Sequence, residues 1–225
     1  ADGDTSAPTQ GQAVSEVSSY TDVDAFGATA TANLTIDITG TNDGPTPRAD
    51  SNPGDPVDEA GVNPGNTPFP GDGSAAGNVL ANDTDPDTSE TATLAVSAVN
   101  GLGGNVGNAV VGTYGSVTID ATGGYSYTLN NADGDTNALT QGQTVSDVFS
   151  YTIVDAFGAT STANLTIDIT GTNDGPTATA DSNAGDPVVE SGVNPGNTPF
   201  PGDGSAAGNV LANDTDPDTG ETATL

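Results

Sequence analysis

The side chains able to do chemistry in this chain are nearly all carboxylates, and they are clustered. Asp83, Asp85 and Asp87 alternate in Asn-Asp-Thr-Asp-Pro-Asp, and Asp214, Asp216 and Asp218 repeat them. Asp133 and Asp135 form a second pair in Ala-Asp-Gly-Asp-Thr. Asn173 and Asp174 sit in Gly-Thr-Asn-Asp-Gly-Pro, and Asn42 and Asp43 occupy the same places in an earlier copy, with Asp50, Asp181 and Glu59 nearby in sequence. Hard oxygen donors of this kind suit Ca2+, which takes six to eight oxygens from carboxylates, carbonyls and water. The competing reading is that these aspartates are solvated turn formers that keep the chain soluble. Clustering favours the cation, because two like charges about 4 Å apart repel by about 1 kcal/mol even in water, so an uncompensated cluster opposes folding. The spacing is not that of an EF-hand loop, whose sixth position needs Gly where Thr88 stands.

Other chemistry is poorly provided for. With no His and no Cys there is no ordinary catalytic triad, no thiol nucleophile and no preferred zinc ligand. Without Cys or Lys, neither disulfides nor lysine–asparagine isopeptide cross-links can staple the fold. The run from Gly101 to Gly107 only approaches a dinucleotide fingerprint, and no βαβ pattern surrounds it, so it reads as a loop. Paired carboxylates could serve glycoside hydrolysis, but they recur in every copy of the sequence, which suits structure better than catalysis. Asn33-Leu-Thr35 and Asn82-Asp-Thr84 match glycosylation sequons, which also fit a strand and an acidic loop. No enzyme is expected.

Charge narrows the partners. The formal net charge is -30, with Arg48 the single base. Such a surface repels nucleic acid and anionic lipid and attracts cations. No stretch is apolar and long enough to insert in a membrane as a helix. Leu, Ile, Val and Phe together fall below the roughly 20% that, with high charge of one sign, marks disordered composition. A fold built from this sequence needs stabilisation beyond its apolar residues.

The elements that must position these residues come in repeats. Ala132 to Leu225 restates Ala1 to Leu94 at a spacing of about 131 residues, with about 80 of 94 positions identical. Thr31 to Thr46 and Thr162 to Thr177 are the same sixteen letters, and Asn63 to Thr88 recurs as Asn194 to Thr219. This period suits one independently folded domain per repeat. The natural joint is Gly40-Thr-Asn-Asp-Gly-Pro45, repeated at Gly171 to Pro176. On that frame residues 1–44 are the C-terminal part of one repeat, 45–175 a complete repeat domain, and 176–225 the N-terminal part of the next. The expectation is a window on a longer array that opens inside a loop.

Within a repeat the apolar residues alternate. Leu34, Ile36 and Ile38, and equally Leu165, Ile167 and Ile169, alternate with Thr and Asp. Val117 and Ile119, then Tyr125, Tyr127 and Leu129, then Phe149, Tyr151 and Ile153, do the same with Thr and Ser. Period two with β-branched and aromatic residues means half-buried strands. No segment has a helical period. Seven or so short strands with Gly, Asn, Asp and Pro turns predict an all-β fold of tandem antiparallel sandwiches, immunoglobulin-like or cadherin-like. The Pro- and Gly-rich stretch from Asn52 to Gly77 reads as a long surface excursion. Ser18 and Asp22 stand where the later copy has Phe149 and Ile153, so the first copy has either a weaker core there or a differently packed strand.

These motifs in combination resemble the VCBS repeat, a cadherin-like domain of giant calcium-dependent bacterial adhesins of the RTX type. The resemblance lies in Gly77 to Asp87, Gly124 to Leu129, Ala138 to Gln143, Phe149 to Ile153 and the closing Ala163 to Pro176. It covers nearly the whole repeat and departs from it in the long Asn52–Gly77 excursion, which the family usually has shorter. It implies an extracellular stalk on a bacterial cell surface, used in adhesion or biofilm matrix, with Ca2+ ligands drawn from several loops at one end of a sandwich. Neighbouring repeats of the same chain are the expected partners. Three functions compete: a calcium-stiffened stalk, a self-assembling filament or matrix protein with homotypic lateral contacts, and a carbohydrate-binding module or hydrolase. The last is disfavoured by the lack of Trp and by only five Tyr.

Overall fold

The computed structural model describes residues 8–225; the loop expected at residues 1–5 lies outside them. The strands are β1 (Ala13–Val23), β2 (Thr29–Thr39), β3 (Asp50–Ser51), β4 (Val57–Asp58), β5 (Gly61–Asn63), β6 (Thr67–Phe69), β7 (Ser74–Asn78), β8 (Ala95–Val99), β9 (Ala109–Val111), β10 (Gly115–Ile119), β11 (Gly124–Leu129), β12 (Thr144–Val154), β13 (Thr160–Thr170), β14 (Gly192–Asn194) and β15 (Thr198–Phe200). Helical turns among the described residues are limited to three short 3-10 segments, so the all-β expectation holds.

The chain forms two compact units. Among the described residues the first comprises 8–57, Asp72–Asn130 and Thr144–Ile169; the second comprises Asp58–Gly71, Asn131–Gln143 and Thr170–Leu225. The first contains a β-sandwich. One sheet has the order β7-β11-β10-β9; the other runs β3-β13-β12-β8, with β4 also against β13. Period two places the inner faces together. Val117 and Ile119 of β10 and Tyr125, Tyr127 and Leu129 of β11 are buried, as are Phe149, Tyr151 and Ile153 of β12 and Leu165, Ile167 and Ile169 of β13. The rings of Tyr127 and Phe149 meet across the layers at 6.3 Å and 56°. That tilted contact is one of the favourable aromatic geometries.

One buried carboxylate joins this core. Asp147 follows the same inward parity as Phe149 and is 3% exposed. It accepts the N–H of Thr113 at 2.7 Å and of Gly115 at 3.1 Å, and the Tyr127 hydroxyl at 2.8 Å. Gly112 makes the approach possible, because a Cβ there would lie 2.5 Å from Asp147 Oδ2.

The first unit also holds the ribbon β1–β2, paired from Ala13↔Thr39 to Val23↔Thr29. Its sequence nearly repeats β12–β13, yet Leu34 and Ile36 are exposed where Leu165 and Ile167 are buried. In the second unit, β14–β15 repeats the β5–β6 hairpin. Ser205 to Asn209, identical in sequence to β7, forms no strand, whereas β7 pairs with β11.

The stretch from Asn52 to Gly77 differs from a plain surface excursion. Its hairpin tip is exposed, but Val57 and Glu59 are fully buried and the segment contributes β4 and β7. The anchoring residues are single apolar or acidic positions between Pro and Gly, too short a run to show a period.

Candidate metal centre

Each acidic loop meets the joint that precedes it. In the first unit the Asp43 N–H donates to Asp87 Oδ2 at 2.9 Å, and the Asn42 side-chain amide donates to Asp155 Oδ2 at 2.9 Å. Inside the loop, the Asp87 N–H donates to Asp85 Oδ1 at 2.8 Å and the Asp85 N–H to the Thr91 hydroxyl at 2.8 Å. A Thr46–Thr84 bridge holds joint and loop together. The three alternating aspartates part at a tight turn: Asp85 caps the loop's own Asp87 N–H, whereas Asp83 and Asp87 accept the N–H groups of Arg48 and Asp43.

The result is a pocket of carboxylates with oxygens left over. One ligand atom from each of Asp85, Glu90 and Asp155 lies within 4.8 Å of the others. Asn42 Oδ1, Asp85 Oδ2, Asp87 Oδ1 and both Glu90 oxygens are buried without a hydrogen-bond partner. Burial pushes the Glu90 carboxyl up, and the charges of Asp87, Asp85 and Asp155 add to it. Asp85 is raised first by burial and then by Asp87, Asp155 and Asp43, with a hydrogen bond from Asp87 opposing. Burial also works against charged Asp155, but hydrogen bonds from Asn42, Ala159 and Phe157 outweigh it and hold that carboxyl below its usual range. Asp155 is therefore the anion around which the others are short of positive charge.

The second unit builds the same site again. The Asp174 N–H donates to Asp218 Oδ2 at 3.0 Å, the Asp218 N–H to Asp216 Oδ1 at 2.9 Å, and the Asp216 N–H to the Thr222 hydroxyl at 2.8 Å. Asp216 and Glu221, the copies of Asp85 and Glu90, form a triplet with Asp218, the copy of Asp87. Here Glu59 joins in. It is 0% exposed, accepts the Thr172 N–H at 3.0 Å through Oε2, and leaves Oε1 without a partner. Burial, then the charges of Asp174 and Asp218, lift its carboxyl to about 7 against the Thr172 hydrogen bond. Asp218 rises to about 6, through burial and the neighbouring charges of Glu221, Asp216 and Asp174.

The residues expected from sequence thus divide. Asn42, Asp43, Asp85 and Asp87 converge, and so do Asp174, Asp216 and Asp218, while the Asn173 amide donates to the Asp174 carbonyl at 2.6 Å. Asp83 instead accepts the Arg48 N–H at 2.7 Å, and Asp214 accepts the Thr179 N–H at 2.7 Å. Asp50 accepts the Tyr151 hydroxyl, and its copy Asp181 is exposed. Asp133 caps its own turn by accepting the Asp135 N–H at 2.9 Å, and Asp135 is exposed; neither belongs to the two triplets. Glu90, Glu221 and Asp155 were not singled out from sequence. Glu90 recurs as Glu221, and Asp155 opens the β12–β13 turn, capping Phe157 and Ala159 as Asp24 caps Phe26 and Ala28. That recurrence was the available signal.

A donor set of carboxylate and side-chain amide oxygens with no imidazole or thiolate fits a hard cation of the calcium type and not zinc. The orphaned buried oxygens fit such an ion, since unpartnered buried charge is otherwise costly.

The family model of the bacterial cadherin-like domain matches residues 42–171, more than half of the 225-residue chain. No curated protein matches the chain. A solved structure titled "PcdhgB3 EC1-4 in 50 mM HEPES" aligns with 80% of this chain at 13% identity and a TM-score of 0.34; the match spans 47% of that chain, and at this score it carries no argument.

Proposed function

The chain belongs to the family of bacterial cadherin-like domains, and on that premise we propose that it is a structural stretch of a bacterial cell-surface stalk, stiffened by calcium at the joints between repeats. One observation carries the reading. The joint residues of one repeat are hydrogen-bonded into the acidic loop of the next, around buried carboxylate oxygens that have no other partner, and this is built twice. Among the described residues no helix is long and apolar enough to cross a membrane.

The division of labour follows from the geometry. Asp85, Asp87 and Glu90, with their copies Asp216, Asp218 and Glu221, would supply carboxylates from the loop. Asn42 and Asn173 would supply side-chain carbonyls from the joint. The Asp155 site shows an acid reaching the cluster from the β12–β13 turn, and the Glu59 site shows one reaching it from the preceding repeat. A joint with complete repeats on both sides carries both kinds. Bound calcium supplies positive charge that cancels repulsion among these groups and fixes the joint's backbone. The role is structural rather than catalytic, since the sequence holds neither His nor Cys and its acids point at one another. Adhesion or a biofilm matrix is the setting this stalk suits.

The test is small-angle scattering and thermal melting of a multi-repeat protein with calcium and with chelator. Chelation is expected to lower the melting temperature and convert a rod into a bent, heterogeneous ensemble. Glu90→Gln with Asp155→Asn, made in every repeat, reproduces much of this. Identical melting and scattering in both conditions would overturn the reading.

A further inference from the structure

Asp83 stands apart from the joint site although it shares the loop with Asp85 and Asp87. It lies with Asp50 of β3 and Tyr151 of β12 inside the first compact unit. The Tyr151 hydroxyl is 2.7 Å from Asp50 Oδ2, 2.7 Å from the Arg48 carbonyl oxygen and 3.3 Å from the Val79 carbonyl oxygen. A phenol has one proton, so it can donate along only one of these directions. The other short approach sets oxygen against oxygen with no proton of its own.

Asp83 adds a second unbalanced charge. It is 3% exposed; one oxygen accepts the Arg48 N–H at 2.7 Å, and Oδ2 is buried with no partner. Asp50 Oδ1 accepts only the Asn82 amide at 3.1 Å. The chain's single base, Arg48, turns an exposed side chain away and offers the cluster only backbone. Burial raises both carboxyls, and the charge of Asp83 raises Asp50 further. The Tyr151 hydroxyl also faces Asp83, so its one proton serves two carboxylates, and committing it to Asp50 leaves Asp83 Oδ2 without a donor.

We propose that Asp50, Asp83, the Tyr151 hydroxyl and the carbonyls of Arg48 and Val79 form a second calcium-type cation site, inside the sandwich and separate from the joint. Two carboxylates and three neutral oxygens, with water completing the shell, match the demand of Ca2+ for six to eight hard oxygens in irregular geometry. Mg2+ requires a near-ideal octahedron and fits less well. The ion would tie β3, the loop after β7 and β12 together, so it stabilises one repeat rather than a joint. It does not depend on the joint reading.

The experiment counts calcium ions per folded chain by native mass spectrometry and titrates them by calorimetry. Asp50→Asn with Asp83→Asn is expected to lose one ion, while Glu90→Gln with Asp155→Asn keeps that ion and loses the one at its joint. Tyr151→Phe retains the ring and is expected to weaken the interior site by about tenfold, as loss of an oxygen partner commonly does. It supplies the readout should the double variant not fold. An unchanged ion count and unchanged affinity overturn the proposal. So does a double variant that melts higher in chelator than the parent and keeps the parent's full calcium-induced shift, because a proton then holds the pair. Loss of no ion in the joint variant would defeat the joint reading alone.

Discussion

Asp147 shows what a single buried acid contributes when every oxygen is used. Its carboxylate gathers the N–H groups of Thr113, Tyr114 and Gly115 and the Tyr127 hydroxyl, fixing the β9–β10 turn to the inner face of β12. Asp147→Ala strands these donors in the interior, where each unsatisfied group costs about 1–3 kcal/mol, so a loss of at least ~3 kcal/mol is expected in urea unfolding. Asp147→Asn keeps an acceptor and should lose less. Glu59 behaves in the opposite way, because the Thr172 N–H serves one of its oxygens and the other, Oε1, has no donor. Its carboxyl titrates near 4.5 when unfolded and at about 7 when folded. The folded state therefore binds the extra proton more tightly, and this stabilisation is complete below pH 4.5 and lost as the pH rises through 7. Asp218, raised to about 6, acts in the same direction. In chelator, melting temperature is expected to fall from pH 5 to pH 8. In calcium, protons compete with the ion, so the calcium-induced gain should grow over the same range. Parallel curves in the two buffers would show that these acids do not meet a metal.

At the scale of the element, the chain contains its own control. Residues 31–39 and 162–170 are identical in sequence, and both form strands. Leu34 is 53% exposed and Leu165 is 0% exposed, because β13 is covered by the opposing sheet and β2 is not. Identical propensity with different burial separates intrinsic from tertiary stabilisation. Leu165→Ala is expected to cost about 2–5 kcal/mol by cavity formation, and Leu34→Ala under about 0.5 kcal/mol. Denaturant unfolding of the two variants measures this, and equal losses would mean that the β1–β2 ribbon is packed in solution. The inward positions of β12 add to the contrast. Phe149 and Ile153 pack in the core, whereas Ser18 and Asp22 on β1 stand on an exposed strand, where small and charged side chains carry no burial cost.

For the whole molecule, the composition sets the problem and cations offer a solution. A net charge of -30 with one base leaves the fold without internal counter-charge. An ion that binds only the folded state adds RT ln(1 + [L]/Kd), so extracellular-type sites with Kd of roughly 0.1–1 mM contribute on the order of 1 kcal/mol each at millimolar calcium. Several such sites are a decisive share of a stability of about 5–15 kcal/mol. Residues 45–175 are proposed as the unit that folds by itself. Limited proteolysis in calcium should trim the chain toward those bounds, since the flanking partial repeats lack the strands needed to cover a sheet. Uniform protection across the chain would count against that division.

Sequence alone determined the strand parity of β10 to β13, the all-β class, the repeat and the acidic loops, because each is written in local period or in residue type. It also singled out the joint asparagines and aspartates together with Asp85 and Asp87. Tertiary structure decided the rest. Three aspartates spaced by two residues look equivalent in one dimension, yet the turn sends Asp85 and Asp87 to the joint and Asp83 to Tyr151. Asp155 and Glu59 reach their clusters from other loops, a matter of long-range closure that no window of sequence contains, whereas Glu90 follows Asp87 in the same loop. Asp147 is an acid on an inward parity, and only the backbone donors brought to it by the facing sheet make that placement stable. The two copies of one strand make the same point: period dictates which face is apolar, and only the presence of a covering sheet dictates whether that face is buried.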